Sequence, residues 1–135
     1  MKGHCLCGRI AIGCIDHTDV SVCHCSMCRR WGGGPFFSIE SKAIEIEGEK
    51  DIAHYRSSQW AERGFCQHCG THLYYRLQTG GFYAVSAGLF QDAENLRLHN
   101  QIFIDKKPDY YALANKTPTM TEAQVMEMFK NWDAS

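Results

Sequence analysis

The cysteines are the residues of this sequence whose type and spacing could do chemistry. There are eight in 135 residues, and seven of them fall into three short clusters. Thiols two or three positions apart are typical of metal ligation rather than of disulfides between distant loops. The clusters are C-x-C at Cys5 and Cys7, C-x-C-x-x-C at Cys23, Cys25 and Cys28, and C-x-x-C at Cys66 and Cys69.

Local backbone geometry indicates how each cluster could present its sulfurs. Successive side chains of a strand point to opposite faces, so Cys5 and Cys7 can converge on one ion, and so can Cys23 and Cys25. The segment FCQHCGTHLYY predicts a different arrangement, the turn of a zinc ribbon. Gly70 follows its second cysteine, at a position where a left-handed backbone is often needed.

The number of ligands that zinc requires favours one division of these cysteines. A structural zinc has four protein ligands, whereas a zinc that does chemistry has three and an open position. Joining the C-x-C pair to the C-x-x-C pair gives four thiolates and leaves the three-cysteine cluster open, which predicts two zinc ions per chain. In a rival zinc ribbon, Cys25 and Cys28 would pair with Cys66 and Cys69. This pairing leaves more thiols without a metal, namely Cys5, Cys7 and Cys23, although spacing does not exclude it.

An open three-thiolate zinc site is suited to a soft fourth ligand. A Zn²⁺ ion with three thiolate ligands carries one net negative charge. A water bound to it is therefore acidified less than at histidine-ligated zinc, where the pKa of the water is about 7. We therefore expect the thiolate of a small substrate in the fourth position, or water until one arrives. Arg29 and Arg30 follow the last ligand and are candidates for binding a substrate carboxylate, with solvated charges as the alternative. His24 lies between two ligands, and in an extended segment its side chain points away from them, which favours a supporting or packed role.

The elements expected to position these residues are short strands followed by one helix. Alternating apolar residues predict strands in RIAIGCI, AIEIEG, THLYYRL, FYAVSA and HNQIFI. Thr119 and Glu122 have the spacing of a capping box, which predicts the start of a core-facing C-terminal helix. The apolar residues of that helix recur at helical intervals: Val125, Met128, Phe129 and Trp132.

Length, charge and hydropathy limit the classes of function. A chain of 135 residues is expected to form a single domain over residues 1–135. With 14 basic and 15 acidic residues it lacks the excess of Lys and Arg that nucleic-acid binders use, so we expect no nucleic-acid partner. The longest uncharged stretch, TGGFYAVSAGLF, is too short to span a bilayer. The segment MKGHCLCGRI lacks the apolar core of a secretion signal, which predicts a cytoplasmic protein with reduced thiols.

Four motifs, in this order, resemble the glutathione-dependent formaldehyde-activating enzyme family, whose domain is shared by the centromere protein V group. They are GHCLCG, CHCSMCRRWGGGPF, FCQHCGTHLYY and IFIDKKPDYYAL, and the resemblance extends from Gly3 to about Leu113. It implies the β-tent fold, a zinc-binding, mainly β architecture of several short antiparallel sheets. It also implies a structural zinc and a catalytic zinc, whose ligands are respectively Cys5, Cys7, Cys66 and Cys69, and Cys23, Cys25 and Cys28.

The resemblance further implies a reaction and a partner. The reaction is that of a carbon–sulfur lyase, which forms or cleaves the S-hydroxymethyl adduct of glutathione, or of another small thiol, with formaldehyde. Two other classes of function stay open. One is a non-catalytic zinc-binding interaction module, as in the centromere-associated branch, which is expected to use added basic segments that this nearly neutral chain lacks. The other is a thiol or metal-stress sensor whose open site loses zinc on oxidation.

Overall fold

The fold is mainly β, as predicted, in a computed structural model that describes residues 1–14, 18–79 and 81–134. Within these residues, eleven strands and two α-helices are joined by turns and short 3₁₀ segments. None of the helices in this part of the chain has the length and apolar character needed to cross a membrane. The helices are α1 (Ser26–Gly32) and α2 (Glu122–Ala134). The strands are β1 (Lys2–His4), β2 (Ala11–Cys14), β3 (Asp19–Cys23), β4 (Phe36–Ser41), β5 (Ile44–Glu47), β6 (Ile52–Tyr55), β7 (Ala61–Cys66), β8 (His72–Leu77), β9 (Tyr83–Ser86), β10 (Arg97–Ile102) and β11 (Thr119–Met120).

The chain divides into two compact units, and each unit contains one group of cysteines. The first unit comprises Met1–Thr18 and Ser38–Leu96, and the second comprises Asp19–Phe37 and Arg97–Ser135. The C-x-C and C-x-x-C pairs lie in the first unit, and the three-cysteine cluster lies in the second. Each unit is therefore described with the site that it carries.

The first unit consists of short antiparallel sheets, whose alternating side chains form its core. Strands β1, β2 and β5 form a three-stranded sheet in which the buried Ile12 lies opposite Ile46. Strands β4, β9, β8, β7 and β6 are antiparallel neighbours in that order. Leu73 of β8 and Val85 of β9 are fully buried. The alternation that predicted β2, β5, β8 and β9 is thus the alternation between this core and the outer faces.

A close contact between β7 and β8 explains the glycine in the strand that leads to the C-x-x-C turn. Gly64 lies opposite Tyr74, and a Cβ at position 64 would approach the Tyr74 ring to 2.7 Å. Tyr74 is buried, so its ring cannot swing out to make room. The glycine therefore lets the ring cover the strand two residues before Cys66, where β7 ends.

The central strand of the second unit is β10, which runs parallel to both β3 and β11. The expectation of antiparallel sheets does not hold for these pairs. Residues 24–96 separate β3 from β10 in the sequence, so no tight hairpin turn dictates an antiparallel direction. The register places Gln101 opposite Val22 and Ile102 opposite Cys23, which brings the end of β10 beside the three-cysteine cluster.

Helix α1 is an element that the sequence patterns did not predict. The strand geometry expected through Cys25 stops at Cys23, and Cys25 becomes the N-cap of α1, where its Sγ accepts a hydrogen bond from the Cys28 amide at 3.3 Å. Gly33 ends the helix in a left-handed conformation, with φ of 82°, and its amide donates to the Arg29 carbonyl. A seven-residue helix has too few apolar positions to show a helical period.

The C-terminal helix is present as predicted, but its cap and its buried face differ from the prediction. Thr119 belongs to β11, and the reciprocal capping bonds join Thr121 and Gln124. Val125 is fully buried, whereas Met128 is 44% exposed, so the buried face is narrower than the predicted apolar stripe. The side chain of Trp132 lies outside the described residues.

Candidate metal centres

The first candidate centre brings together four cysteines from two distant segments, Cys5, Cys7, Cys66 and Cys69, here called the four-cysteine site. Their sulfurs all lie within 4.8 Å of one another. The Cys5 and Cys7 sulfurs are 3.6 Å apart, and the Cys7 and Cys66 sulfurs are 3.8 Å apart. Tetrahedral zinc with bonds of about 2.3 Å requires sulfurs separated by about 3.8 Å. The donor set and its spacing therefore fit a four-thiolate zinc.

Two similar turns present these sulfurs. The C-x-C pair lies in a turn after β1, not in a strand as the alternation argument supposed, and its Cys5 sulfur accepts a hydrogen bond from the Ile10 amide. In the C-x-x-C turn, the Cys69 amide points at the Cys66 sulfur at 3.5 Å. Gly70 has φ of 77°, so the left-handed backbone predicted there is present. Amides directed at sulfur stabilise thiolate and hold it ready for a metal.

The electrostatics of the four-cysteine site favour thiolate at its rim and penalise it in its interior. The Thr71 hydroxyl, 3.2 Å from the Cys69 sulfur, lowers the pKa of Cys69 to about 5. Hydrogen bonds from Arg9 lower the pKa of Cys7, whereas burial raises the pKa of Cys66. A buried thiolate beside two others needs a cation, which is the condition that a divalent metal satisfies.

The second candidate centre is the three-cysteine cluster of Cys23, Cys25 and Cys28, whose sulfurs also lie within 4.8 Å of one another. The three come from the end of β3, the N-cap of α1 and the first turn of α1. In the part of the chain that the structure describes, no His, Asp, Glu or further Cys lies within that distance of all three. The adjacent thiols and burial raise the pKa of Cys23, because three thiolates repel one another when no cation is present. The donor set fits zinc with one position left for another ligand.

His24 supports the three-cysteine cluster through a buried network. Its ring is fully buried, with Nδ1 2.6 Å from the Tyr111 hydroxyl and Nε2 2.9 Å from Gln101 Oε1. Burial lowers the pKa of His24, which favours the neutral ring. Neither Gln101 nor Tyr111 was predicted as a functional residue from the sequence. The available signal was the motif IFIDKKPDYYAL, which carries Tyr111 and begins one residue after Gln101.

The two predicted arginines differ in their surroundings. Arg29 is half-buried and its Nε donates to the His24 carbonyl at 3.0 Å, whereas Arg30 is exposed. Lys107, which the sequence reasoning missed, donates from Nζ to the Tyr111 carbonyl at 2.6 Å and lies 5.3 Å from the Tyr111 ring centroid. Among the described residues no carboxylate lies within ion-pair distance of Arg29 or Lys107. Both cations are held by carbonyl groups, so their charge is not neutralised by a protein carboxylate from this set.

The fold and the two cysteine groups define a small, mainly β protein with two candidate metal centres. The sequence model described as glutathione-dependent formaldehyde-activating enzyme matches residues 1–106, and the chain belongs to this family, as its motifs predicted. A Schizosaccharomyces pombe protein named as an uncharacterized lyase is 42% identical over 130 residues, which cover 93% of this chain and 94% of that protein.

A solved structure supports the fold independently. The crystal structure of a Rhodobacter sphaeroides protein, a structural genomics target, is similar with a TM-score of 0.58 and 24% identity. The similarity covers 69% of this chain and 90% of that one. At this identity the likeness concerns the fold alone. The family model matches residues 1–106, so Tyr111 lies outside the part of the chain that the model covers.

Proposed function

We propose that this protein is a zinc-dependent carbon–sulfur lyase that forms or cleaves the S-hydroxymethyl adduct of a small thiol, in the first place glutathione, with formaldehyde. The observation that carries the proposal is the three-cysteine cluster, which has no fourth protein ligand among the described residues. Membership of a family described as glutathione-dependent and formaldehyde-activating supports the two substrates. The relative named as a lyase supports the class of reaction.

The proposed reaction joins two molecules without oxidation or reduction. The thiol sulfur attacks the carbonyl carbon of formaldehyde, a carbon–sulfur bond forms, and the thiol proton ends on the new hydroxyl oxygen. The reverse reaction breaks the same bond and releases both molecules. Zinc held by Cys23, Cys25 and Cys28 would lower the pKa of the thiol and orient its sulfur.

The chain's own residues supply binding and charge. A second zinc on the four-cysteine site would tie the turn at Cys5 to the turn at Cys66 and so would have a structural role. In the second unit, Arg29 lies one residue after Cys28 and has no carboxylate partner among the described residues, so its positive charge is suited to an anionic thiol compound. None of the eight cysteines forms a disulfide in the structure, and the compartment that we propose for the reaction is the cytoplasm, whose conditions are reducing.

The central test of this function is whether a thiol binds at the three-cysteine cluster. When Co²⁺ replaces the metal there, glutathione should intensify the thiolate-to-cobalt charge-transfer band, because sulfur replaces oxygen among the ligands. The addition should also release a proton, since the compound binds as thiolate. Absorption titration and proton release in weak buffer measure the two effects. Cys25→Ser should lose the response, and Cys14→Ser should keep it, because Cys14 belongs to neither cysteine group. If glutathione, cysteine and other small thiols all leave the cobalt spectrum unchanged, the proposed mechanism is wrong.

The charge of the substrate should be recognised by Arg29 rather than by Arg30. Arg29→Ala should weaken binding of glutathione by roughly threefold to tenfold, about 1 kcal/mol, because a half-buried guanidinium faces an anionic ligand. Binding of the neutral thiol 2-mercaptoethanol should change less, only by the part that comes from losing the hydrogen bond to the His24 carbonyl. Arg30→Ala is the matched control, and its exposed side chain should contribute almost nothing. Equal losses for the charged and the neutral thiol would show that Arg29 does not recognise charge.

A further inference from the structure

The geometry points to His24 as the positioning residue of the three-cysteine cluster, held by Gln101 and Tyr111 so that the sulfurs on either side of it face one metal ion. The inference rests on the proposed metal binding at this cluster. It assigns a role to Gln101 and Tyr111, which have no part in the proposed reaction itself.

The backbone of His24 is fixed on both sides. Its amide donates to the Ile102 carbonyl at 3.1 Å, beyond the point where β3 and β10 stop pairing. Its carbonyl accepts a hydrogen bond from Arg29 Nε at 3.0 Å, which joins it to the first turns of α1. The segment from Cys23 to Cys25 therefore cannot rotate about His24 without breaking one of these bonds.

The ring of His24 is fixed with a defined direction of hydrogen bonding. Gln101 Nε2 donates to the Thr117 hydroxyl at 3.3 Å, and that hydroxyl donates to the Pro118 carbonyl at 2.9 Å. This orientation turns Gln101 Oε1 toward His24, and since an amide oxygen only accepts, His24 Nε2 carries the proton. Nδ1 of the neutral ring then accepts, and the Tyr111 hydroxyl donates to it. A directed chain thus runs from Tyr111 through His24 and Gln101 to Thr117.

The burial of this network makes each of its bonds matter. His24 is fully buried and Gln101 is 6% exposed, so a ring nitrogen that loses its partner has little access to water. The ring can then leave its native position, and the backbone between Cys23 and Cys25 is held by its amide and carbonyl hydrogen bonds alone. Groups that orient metal ligands typically change metal affinity by about 10–100-fold when they are removed. We therefore expect the open metal ion to be held less tightly in variants that cut this chain.

The experiment measures metal retention, not catalysis. The full chain is loaded with two zinc ions and mixed with a chromogenic chelator, and the release of each ion is followed with time. In Gln101→Met and in Tyr111→Phe, the ion of the three-cysteine cluster should leave about tenfold faster or more, and the ion of the four-cysteine site should leave at the wild-type rate. The former is the faster-released ion in the wild type, because three protein ligands hold it rather than four. Gln101→Glu keeps an acceptor for Nε2 and should restore slow release. The Co²⁺ spectrum of the three-cysteine cluster should change in Gln101→Met and return in Gln101→Glu.

The chain offers a matched control in its first unit. The Tyr74 hydroxyl lies 2.6 Å from His54 Nε2, a tyrosine–histidine pair of the same length at an exposed histidine, and neither residue belongs to the three-cysteine cluster. Tyr74→Phe should therefore leave the faster ion at its wild-type rate.

Two results would overturn the inference. One is wild-type release in both Gln101→Met and Tyr111→Phe with the Co²⁺ spectrum unchanged. The other is equal acceleration of both ions with a lower melting temperature, which indicates general destabilisation. Because no thiol is added, the inference and the proposed reaction fail separately. If the wild-type protein binds two ions but no thiol, the proposed reaction is contradicted, and the rates of metal release in the variants still test the role of His24.

Discussion

Replacing Cys66 with serine should leave the chain unable to fold stably, whereas replacing Cys28 with serine should leave it folded with one zinc ion. Cys66 is fully buried, and its site joins two distant segments, since Cys7 and Cys66 are 59 positions apart in the chain. Zinc binding to such a site supplies folding free energy on the order of 10 kcal/mol. This is comparable with the whole stability of a small domain, about 5–15 kcal/mol. Cys28, in contrast, shares its site with residues three and five positions away, so losing that metal releases little long-range constraint.

Circular dichroism, thermal unfolding and zinc content per chain measure this difference. Cys66→Ser should give insoluble or unfolded protein without stoichiometric zinc. Cys28→Ser should keep the wild-type spectrum with one tightly held ion, and Cys14→Ser, outside both groups, should keep two. If Cys28→Ser unfolds while Cys66→Ser stays folded with one ion, the structural and catalytic assignments are reversed.

Replacing Cys25 should reduce the rate of adduct formation to that of the uncatalysed reaction, and two substitutions separate its two roles. Cys25 belongs to the three-cysteine cluster and also caps α1 through its sulfur. Serine keeps an acceptor for the Cys28 amide but offers a poor ligand for a soft thiolate site. Alanine removes both the ligand and the cap. Both variants should therefore be inactive, and only Cys25→Ala should also lose about 1 kcal/mol of stability.

Two measurements decide this prediction. Adduct formation and cleavage are followed against a protein-free control, because thiols and formaldehyde combine without a catalyst. The free energy of unfolding is obtained by denaturant titration in the same buffer. Activity above background in Cys25→Ser would show that the cluster works with two thiolates, and this would contradict the proposed role of a three-thiolate zinc.

The local sequence by itself determined which thiols lie close together at each candidate centre, and it predicted β2, β5, β8, β9, β10 and α2. Thiols two or three positions apart are close in space whatever the rest of the chain does, so the C-x-C-x-x-C cluster and the C-x-x-C turn follow from spacing alone. Gly70 marked the left-handed turn for the same reason, since that backbone conformation depends on its own residue. Alternation predicted strands such as β8 because a half-buried strand repeats every two residues.

Tertiary structure decided what depends on residues far apart in the chain. Spacing left two ways to complete a four-thiolate set, and the packing of the first unit brings Cys5 and Cys7, rather than Cys25 and Cys28, to the C-x-x-C turn. The parallel pairing of β10 also lies beyond any local pattern, because its partner β3 is many residues away. The network joins His24 to Gln101, which is 77 positions away, and to Tyr111, which is 87 positions away. No local pattern at Gln101 or Tyr111 marks either residue as a partner of His24. Local patterns encode the geometry of a few neighbouring residues, whereas these contacts arise only when separate segments exclude water from a common core.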